Sequence, residues 1–445
     1  MRDAAYVHRR KQVKGRIRLA IPLFVILEVL ILLCYFFLDQ GPKLLILAFS
    51  MPAIVCLLVI SVLWPWTVLG ASLVTIGLLF PISFGLSGKT FLICWSDIFL
   101  AVVSAGLFVG RAIEKKMDLR LGPLELSLAL FVLAGVMSLG VSGDILHSLG
   151  GILRWVIIFV FFVVTTETAT RLKEPLTLLY LVPIFGTIVS LEFIVEFLTM
   201  RLSLVEIAGG RGALGLSWAR SNYLAAILAL SLLVTITLLL YRKGRMRFTL
   251  FLSVIVMLVA LVLTTSRGGL VTFAIGLAFL MLRAGRRGVS FLVVMLPFAF
   301  AIGQSFVFKY TLLRFAGVTK TFSVKARFSA WREALENFQL HPIFGVGSGP
   351  ARDPHNLPLE VASKMGIIGL VAGAVLVGAI LVTLGRAKRA LATKDILYHG
   401  FSAVVLAAGI NCLFEPVFFS GWHYSTLFWF VMAVVSVLRP EQVHG

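Results

Sequence analysis

HPIFGVGSGPARDPHNLPLEVASKMGIIG, residues 341–369, marks the point where a polar, glycine-punctuated loop gives way to an apolar helix. GVGSGP breaks the chain, and PHNLPLEVASKMG begins a helix that continues into apolar sequence. This stretch closes the one long segment, 308–365, that does not read as membrane-spanning. On both sides lie runs of about 20 apolar residues, each long enough to cross a hydrocarbon core roughly 30 Å thick. The composition agrees: of 445 residues, 60% are hydrophobic and 13% charged, whereas soluble domains carry about 25% charged residues. Strands of a membrane barrel would alternate apolar and polar residues over about 10 positions, and no such alternation occurs. The expectation is an all-α, polytopic membrane protein.

The N-terminal MRDAAYVHRRKQVKGRIR is strongly basic and is expected to stay in the cytoplasm. The apolar run after it is too long for a cleavable signal peptide and has no small-residue cleavage pattern, so it reads as a first membrane helix. Counting onward predicts helices near 19–38, 43–63, 67–86, 91–110, 123–141, 150–168 and 175–198. Three more end at YRKGRMR (from Tyr241), TTSRGGL (from Thr264) and RAGRRG (from Arg283). The last four lie near 289–307, 366–385, 397–416 and 424–438, for about 12–14 spans in all. Basic links such as GRAIEKKMDLR (from Gly110), TRLKEP (from Thr170) and GRAKRALATK (from Gly385) then fall inside, and both termini are cytoplasmic. The organisation expected is N-terminal membrane helices over 1–198, central helices with a basic outside loop over 199–307, a long outside loop over 308–365, and C-terminal helices over 366–445.

The net charge of +20 would suggest nucleic acid in a soluble protein, but cytoplasmic loops of membrane proteins collect Lys and Arg in any case. No nucleic-acid partner is expected. The informative cations are those left outside: Arg201, Arg211 and Arg220 after the seventh helix, and Lys309, Arg314, Lys320, Lys325, Arg327, Arg332, Arg352 and Lys364 in the long loop. They suit an anion held at the membrane surface, since guanidinium forks match phosphate oxygens; attraction to anionic lipid headgroups is the plainer account. Arg267, in SRGG, has Gly268 and Gly269 beside it, so a ligand has room to approach, although an interfacial arginine also snorkels to headgroups.

His355 has an ordinary pKa of about 6.5, suited to proton transfer near neutral pH, and Asn356 and Glu360 are placed to orient it or a substrate. A loop histidine is also commonly just solvated. The acids Glu28, Asp97, Glu192, Glu196 and Glu415 lie in or near spans, most of them at helix ends that reach water, so a proton relay is not favoured. Cys34, Cys56, Cys94 and Cys412 sit in or beside apolar runs as small core residues, and no metal-ligand spacing occurs. Within the long loop, SVKARFSAWREALENF places Phe328, Trp331, Leu335 and Phe338 on one face. Lys325, Arg332, Glu336 and Asn337 fall largely on the other. This predicts an amphipathic helix on the membrane boundary, N-capped near Ser323.

Four pieces of the chain resemble the O-antigen ligase and polymerase superfamily, polytopic glycosyltransferases of the GT-C-like kind. They are RGALGLSWARSN (211–222), SRGG (266–269), ARFSAWREALENFQLHPIFGVGSG (326–349), and the spacing of His355, Asn356, Gly366 and Gly369. The resemblance implies metal-independent, inverting transfer of a glycan from undecaprenyl diphosphate, with no cofactor, at the periplasmic face of the bacterial inner membrane. The acceptor is lipid A-core for a ligase or a second lipid-linked glycan for a polymerase. The family's essential histidine maps to His355 and its two arginines to Arg267 and Arg327. Arg211, Arg220, Lys325 and Arg332 are further candidates for holding the diphosphate. The His355 spacing tilts the reading to a ligase.

Two readings compete. A lipid-linked glycan transporter would have a cationic cavity within the bilayer and internal repeats, and no repeat is evident. A metal-dependent lipid-sugar glycosyltransferase would want an acidic pair in the first outside loop, where DQGPK from Asp39 offers one carboxylate.

Overall fold

A computed structural model describes residues 60–62, 65, 66, 69, 70, 72, 82–86, 89–93, 95–113, 121–199, 215, 216, 219–304, 322–347, 353–392, 394–415, 418 and 422–438. The chain divides into two compact units, Met1–Arg120 and Leu121–Gly445. The helices expected near 19–38 and 43–63 fall largely outside the described residues. In the first unit β1 (Ile82–Leu86) pairs antiparallel with β2 (Lys89–Ile93), and α1 (Trp95–Ile113) follows. This corrects two expected boundaries. The predicted third helix does not run to 86, and the fourth begins at Trp95 rather than 91. β-Branched and aromatic residues in ISFGL and KTFLI, with an interior glycine in the first, favour paired strands over helix.

The described part of the second unit is helical apart from one two-residue hairpin, β3 (Gly215–Leu216) with β4 (Ala219–Arg220). Its helices are α2 (Pro123–Met137), α3 (Ile145–Thr170), α4 (Leu181–Thr199), α5 (Ser221–Tyr241), α6 (Arg245–Leu263), α7 (Arg267–Ala284), α8 (Arg286–Gln304), α9 (Phe322–Leu340), α10 (Leu357–Ala390), α11 (Asp395–Cys412) and α12 (Trp422–Ser436). Among the described residues, eight helical segments are long and apolar enough to cross a membrane. The protein is therefore an all-α polytopic membrane protein.

Helix α5 is the hub. It is apolar on every side, as a helix enclosed by others must be, and 94% of its span-length window is buried. Helices α4, α6, α7, α11 and α12 pack around it. A second group, in which α2 meets α3 and α10 and α3 meets α12, completes the unit. The helices alternate in direction, so two ends can be told apart. One gathers the cations Arg242, Lys243, Arg245, Arg283, Arg286, Lys388 and Lys394, where Arg242 lies over the rings of Tyr180 and Tyr241 and Lys394 over Tyr241. The other end carries the starts of α5, α7 and α10 and the finish of α11.

Helix α9 forms where the loop pattern predicts it, one residue earlier than the expected cap at Ser323. Its packing adds a contact that the pattern does not show. Ala330 and Ala334 are buried where α9 meets α10, while Phe328 is 60% and Leu335 48% exposed. Small residues let two helix backbones approach closely; of the predicted face, Phe328 and Leu335 stay exposed while Trp331 turns to the loop before His355. A boundary helix with that face turned to lipid would look the same.

Helix α10 is longer than the predicted 366–385 because the expected lead-in helix and the span are one element. It breaks at Gly366, whose φ of 63° and ψ of −155° are a combination essentially reserved for glycine. The break frees backbone groups that the HPIFGVG loop takes up. Val346 and Gly347 donate to the Ser363 and Lys364 carbonyls at 2.9 and 3.0 Å, and Ile367 donates to Pro342 O at 2.8 Å. A Cβ at Gly366 would run into the Ile343 carbonyl, and one at Gly345, where φ is 68°, into the Lys364 backbone. Gly366→Ala should therefore lower stability by about 1–3 kcal/mol from the backbone conformation alone. At Gly378, where an added Cβ meets nothing, alanine should stabilise by about 0.5–1 kcal/mol. Thermal unfolding in detergent compares them; equal midpoints would mean the break is not a fixed feature.

Candidate active site

The polar groups at the α5–α7–α10 end converge on Glu415, a residue just past α11 whose side chain is only 6% exposed. Its Oε1 accepts from Arg327 Nη2 and from Asn222 Nδ2, both at 2.7 Å. Its Oε2 lies 3.1 Å from His355 Nδ1. An ionised carboxylate can only accept, so Nδ1 carries the proton and Nε2 is left bare as a potential base. Asn222 is fixed in turn by Ser266, whose hydroxyl donates to Asn222 Oδ1 at 2.9 Å.

Each side chain is delivered by local structure. Ser266 caps α7 by accepting from the Gly269 N–H, which sets Arg267 at the first helical position, in the positive field of that terminus. Of the two SRGG glycines, Gly268 has open space around it, while a Cβ at Gly269 would strike Ala225 on α5. The first leaves room for a ligand and the second is there for helix packing. On α9, Arg327 and Trp331 share a face one turn apart. Trp331 Nε1 donates to Pro354 O at 2.7 Å and so pins the loop that precedes His355. The His355 N–H donates to Asp353 Oδ1 at 2.8 Å. Asn356 caps α10 by accepting from Leu359 N, and its Nδ2 donates to Leu413 O, tying this terminus to the turn that carries Glu415.

Among the described residues, two non-glycine residues have positive φ: Thr265 at 50° and His355 at 53°. The first immediately precedes Ser266 and Arg267, and the second is the imidazole itself. Sparsely populated backbone conformations of this kind cost about 1–3 kcal/mol and gather at functional sites.

His355 is 39% and Arg327 34% exposed. The hydrogen bond with Glu415 is the largest cause that raises the His355 pKa above its ordinary value; the charges of Glu415 and Asp353 add to it, while burial and the Arg327 cation oppose it. A pocket of about 170 Å³ opens beside the cluster, lined by Asn222, Arg267, Gly268, Val271, Arg327 and Phe414. Two guanidinium groups therefore face one small space next to a carboxylate-held imidazole. A larger apolar cavity of about 390 Å³ is lined by Phe131, Trp155, Leu357, Val361, Leu413 and Trp429 among others.

Of the residues singled out in the sequence, His355, Arg267 and Arg327 come together. Asn356 stands beside them as a helix cap. Glu360 is fully buried and paired with Lys364. Arg332 is exposed and paired with Glu336 one turn along α9. Arg220 lies in β4 and Lys325 in α9, and Arg211 is outside the described residues. Asn222, Ser266 and Glu415 are the members that sequence reasoning did not assign. A signal for Glu415 existed, since an acid at the end of an apolar run needs a partner to be buried.

The fold and this cluster define a polytopic membrane protein with an imidazole, a carboxylate and two guanidinium groups at one end of its helices. Residues 252–373 match the family model described as O-Antigen ligase, a likeness that supports the O-antigen ligase and polymerase superfamily. The family comprises glycosyltransferase-like ligases and polymerases of lipid-linked glycans. No curated protein matches the chain. Arg267, Arg327 and His355 fall inside the matched stretch; Asn222 and Glu415 fall outside it.

Proposed function

We propose that the chain is an O-antigen ligase, moving a glycan from undecaprenyl diphosphate to a hydroxyl of lipid A-core at the periplasmic face of the bacterial inner membrane. The observation that carries this is the union of a carboxylate-held His355 with Arg267 and Arg327 around one pocket. The cation-rich opposite end of the helices supports a cytoplasmic location for that end, and hence a periplasmic one for the site. The apolar cavity beside Leu413, of a size usual for ligand sites at roughly 300–1,000 Å³, suits part of a polyprenyl tail.

In the transfer, the acceptor hydroxyl gives its proton to His355 Nε2 and its oxygen forms a bond to the anomeric carbon. The bond from that carbon to the diphosphate oxygen breaks, and the electron pair leaves with the diphosphate. Arg267 and Arg327 meet the charge that develops there, with the first-turn N–H groups of α7 adding to their field. Attack opposite the leaving group inverts the anomeric centre, and guanidinium groups fill the role a metal plays elsewhere.

The test is reconstitution with an undecaprenyl-diphosphate-linked glycan and lipid A-core. A single upward shift of the lipid A-core band is expected. A ladder of longer lipid-linked chains would instead identify a polymerase, and a donor that only changes leaflet would overturn the enzyme reading. Because the base must be neutral to accept a proton and its pKa is raised, the rate should climb with pH along an acid limb centred above 6.5. A limb centred below that value would remove His355 as the base.

A further inference from the structure

The geometry points to Glu415 as a positioning residue that links occupation of the diphosphate pocket to the strength of the base. This rests on the transfer reading above and names how that site is regulated by its own donor.

One buried carboxylate serves three groups brought from three separate elements: Asn222 at the start of α5, Arg327 on α9 and His355 before α10. Its two oxygens are divided. Oε2 holds the His355 Nδ1 proton and so leaves Nε2 as the base, while Oε1 is occupied by Arg327 and Asn222. Arg327 also lines the pocket that Arg267 shares. A guanidinium carries five donors in a rigid fork and can serve two anions, here the internal carboxylate and an incoming diphosphate. A diphosphate in the pocket competes with Glu415 for Arg327. As the cation turns toward the phosphate, more of the carboxylate's charge is left to stabilise the imidazolium that forms as the acceptor is deprotonated. The empty site has a base damped by Arg327, and the donor-filled site has a stronger one.

Asn222 keeps the carboxylate in place during this exchange, because Ser266 anchors it from the other side. Two further charged groups act on His355, Asp353 in its own loop and Glu360 on α10, already paired with Lys364, while Arg267 lines the pocket with Arg327. Glu415 is bonded to both the imidazole ring and Arg327.

The alternative is that Glu415 is a staple that fastens α9 to the bundle. Two substitutions in the reconstituted full-length protein separate the ideas, with binding followed by undecaprenyl diphosphate alone. Glu415→Gln should bind that lipid at least as tightly as wild type, lose at least tenfold in kcat, and move the acid limb to lower pH. The loss is bounded by the ~10²–10⁴ that a general base contributes. Glu415→Asp should recover part of the rate and bring the limb back up. Arg327→Gln, though slow, should move the limb the opposite way, to higher pH, and this still decides the matter if Glu415→Gln does not fold. A kcat within threefold of wild type in Glu415→Gln, a fall in lipid binding that matches the fall in kcat, or limbs that do not move apart would leave only the staple. Failure of the transfer reading is separate, since the wild-type protein would then give no product at all.

Discussion

His355→Ala should cost the transfer about 10²–10⁴-fold in kcat, the contribution expected of a positioned general base, while the protein stays folded in the membrane. The side chain is partly open to solvent, and its removal leaves Glu415 still bonded to Arg327 and Asn222, so no buried charge is stranded. The backbone needs separate treatment, because His355 sits at a φ of 53° and an alanine there carries a cost of roughly 1–2 kcal/mol. Asparagine tolerates this conformation better than other residues with a β-carbon. His355→Asn should therefore unfold later than His355→Ala and yet be equally slow. Initial rates and thermal midpoints of the two variants give the answer: if asparagine restored the rate, the histidine would be there for its backbone and not for its ring.

Much of this site is legible in the sequence, and what is not has physical causes. Span-length apolar runs and the cation asymmetry are long, additive signals, and they give α2 to α7, α10 and α11 nearly where they lie. The Arg327 and Trp331 pair reads correctly because one helical turn puts both on one face, although only the structure shows Trp331 holding Pro354. The apolar face of α9 reads as a membrane-boundary face, whereas its contact with α10 is not legible, because the residues buried there are two alanines that no hydropathy pattern picks out. The hairpin at 82–93 was hidden by apolar strand residues that also suit a membrane helix. Glu415 is the deepest miss. It lies 60 residues beyond His355, and nothing local ties an acid after α11 to an imidazole before α10. The four motif pieces do contain its partners, one each in Asn222, Ser266, Arg327 and His355. What they share is this carboxylate: three bond to it directly, and Ser266 reaches it through Asn222.

Arg267→Lys should lower kcat by about 10²–10³-fold, the scale on which removal of one preorganised charge-stabilising group is felt, although the formal charge is kept. Arg267 stands at the first position of α7, set there by the Ser266 cap, and faces the same pocket as Arg327. Two planar forks on one small space can hold the oxygens of a diphosphate in a fixed arrangement as charge moves onto the leaving oxygen. A lysine in that place is a compact, strongly hydrated point charge on a flexible stem, so it attracts the donor but does not fix the geometry. The loss should therefore fall on kcat, with donor KM changed far less. The same exchange at Arg389, in the last turn of α10 at the opposite end of the bundle, should leave the rate as it was. Snorkelling to lipid headgroups, the plain reading of an interfacial arginine, makes a different forecast. A lysine snorkels as well as an arginine, so an unchanged kcat in Arg267→Lys would return Arg267 to the lipid and leave Arg327 alone to meet the diphosphate.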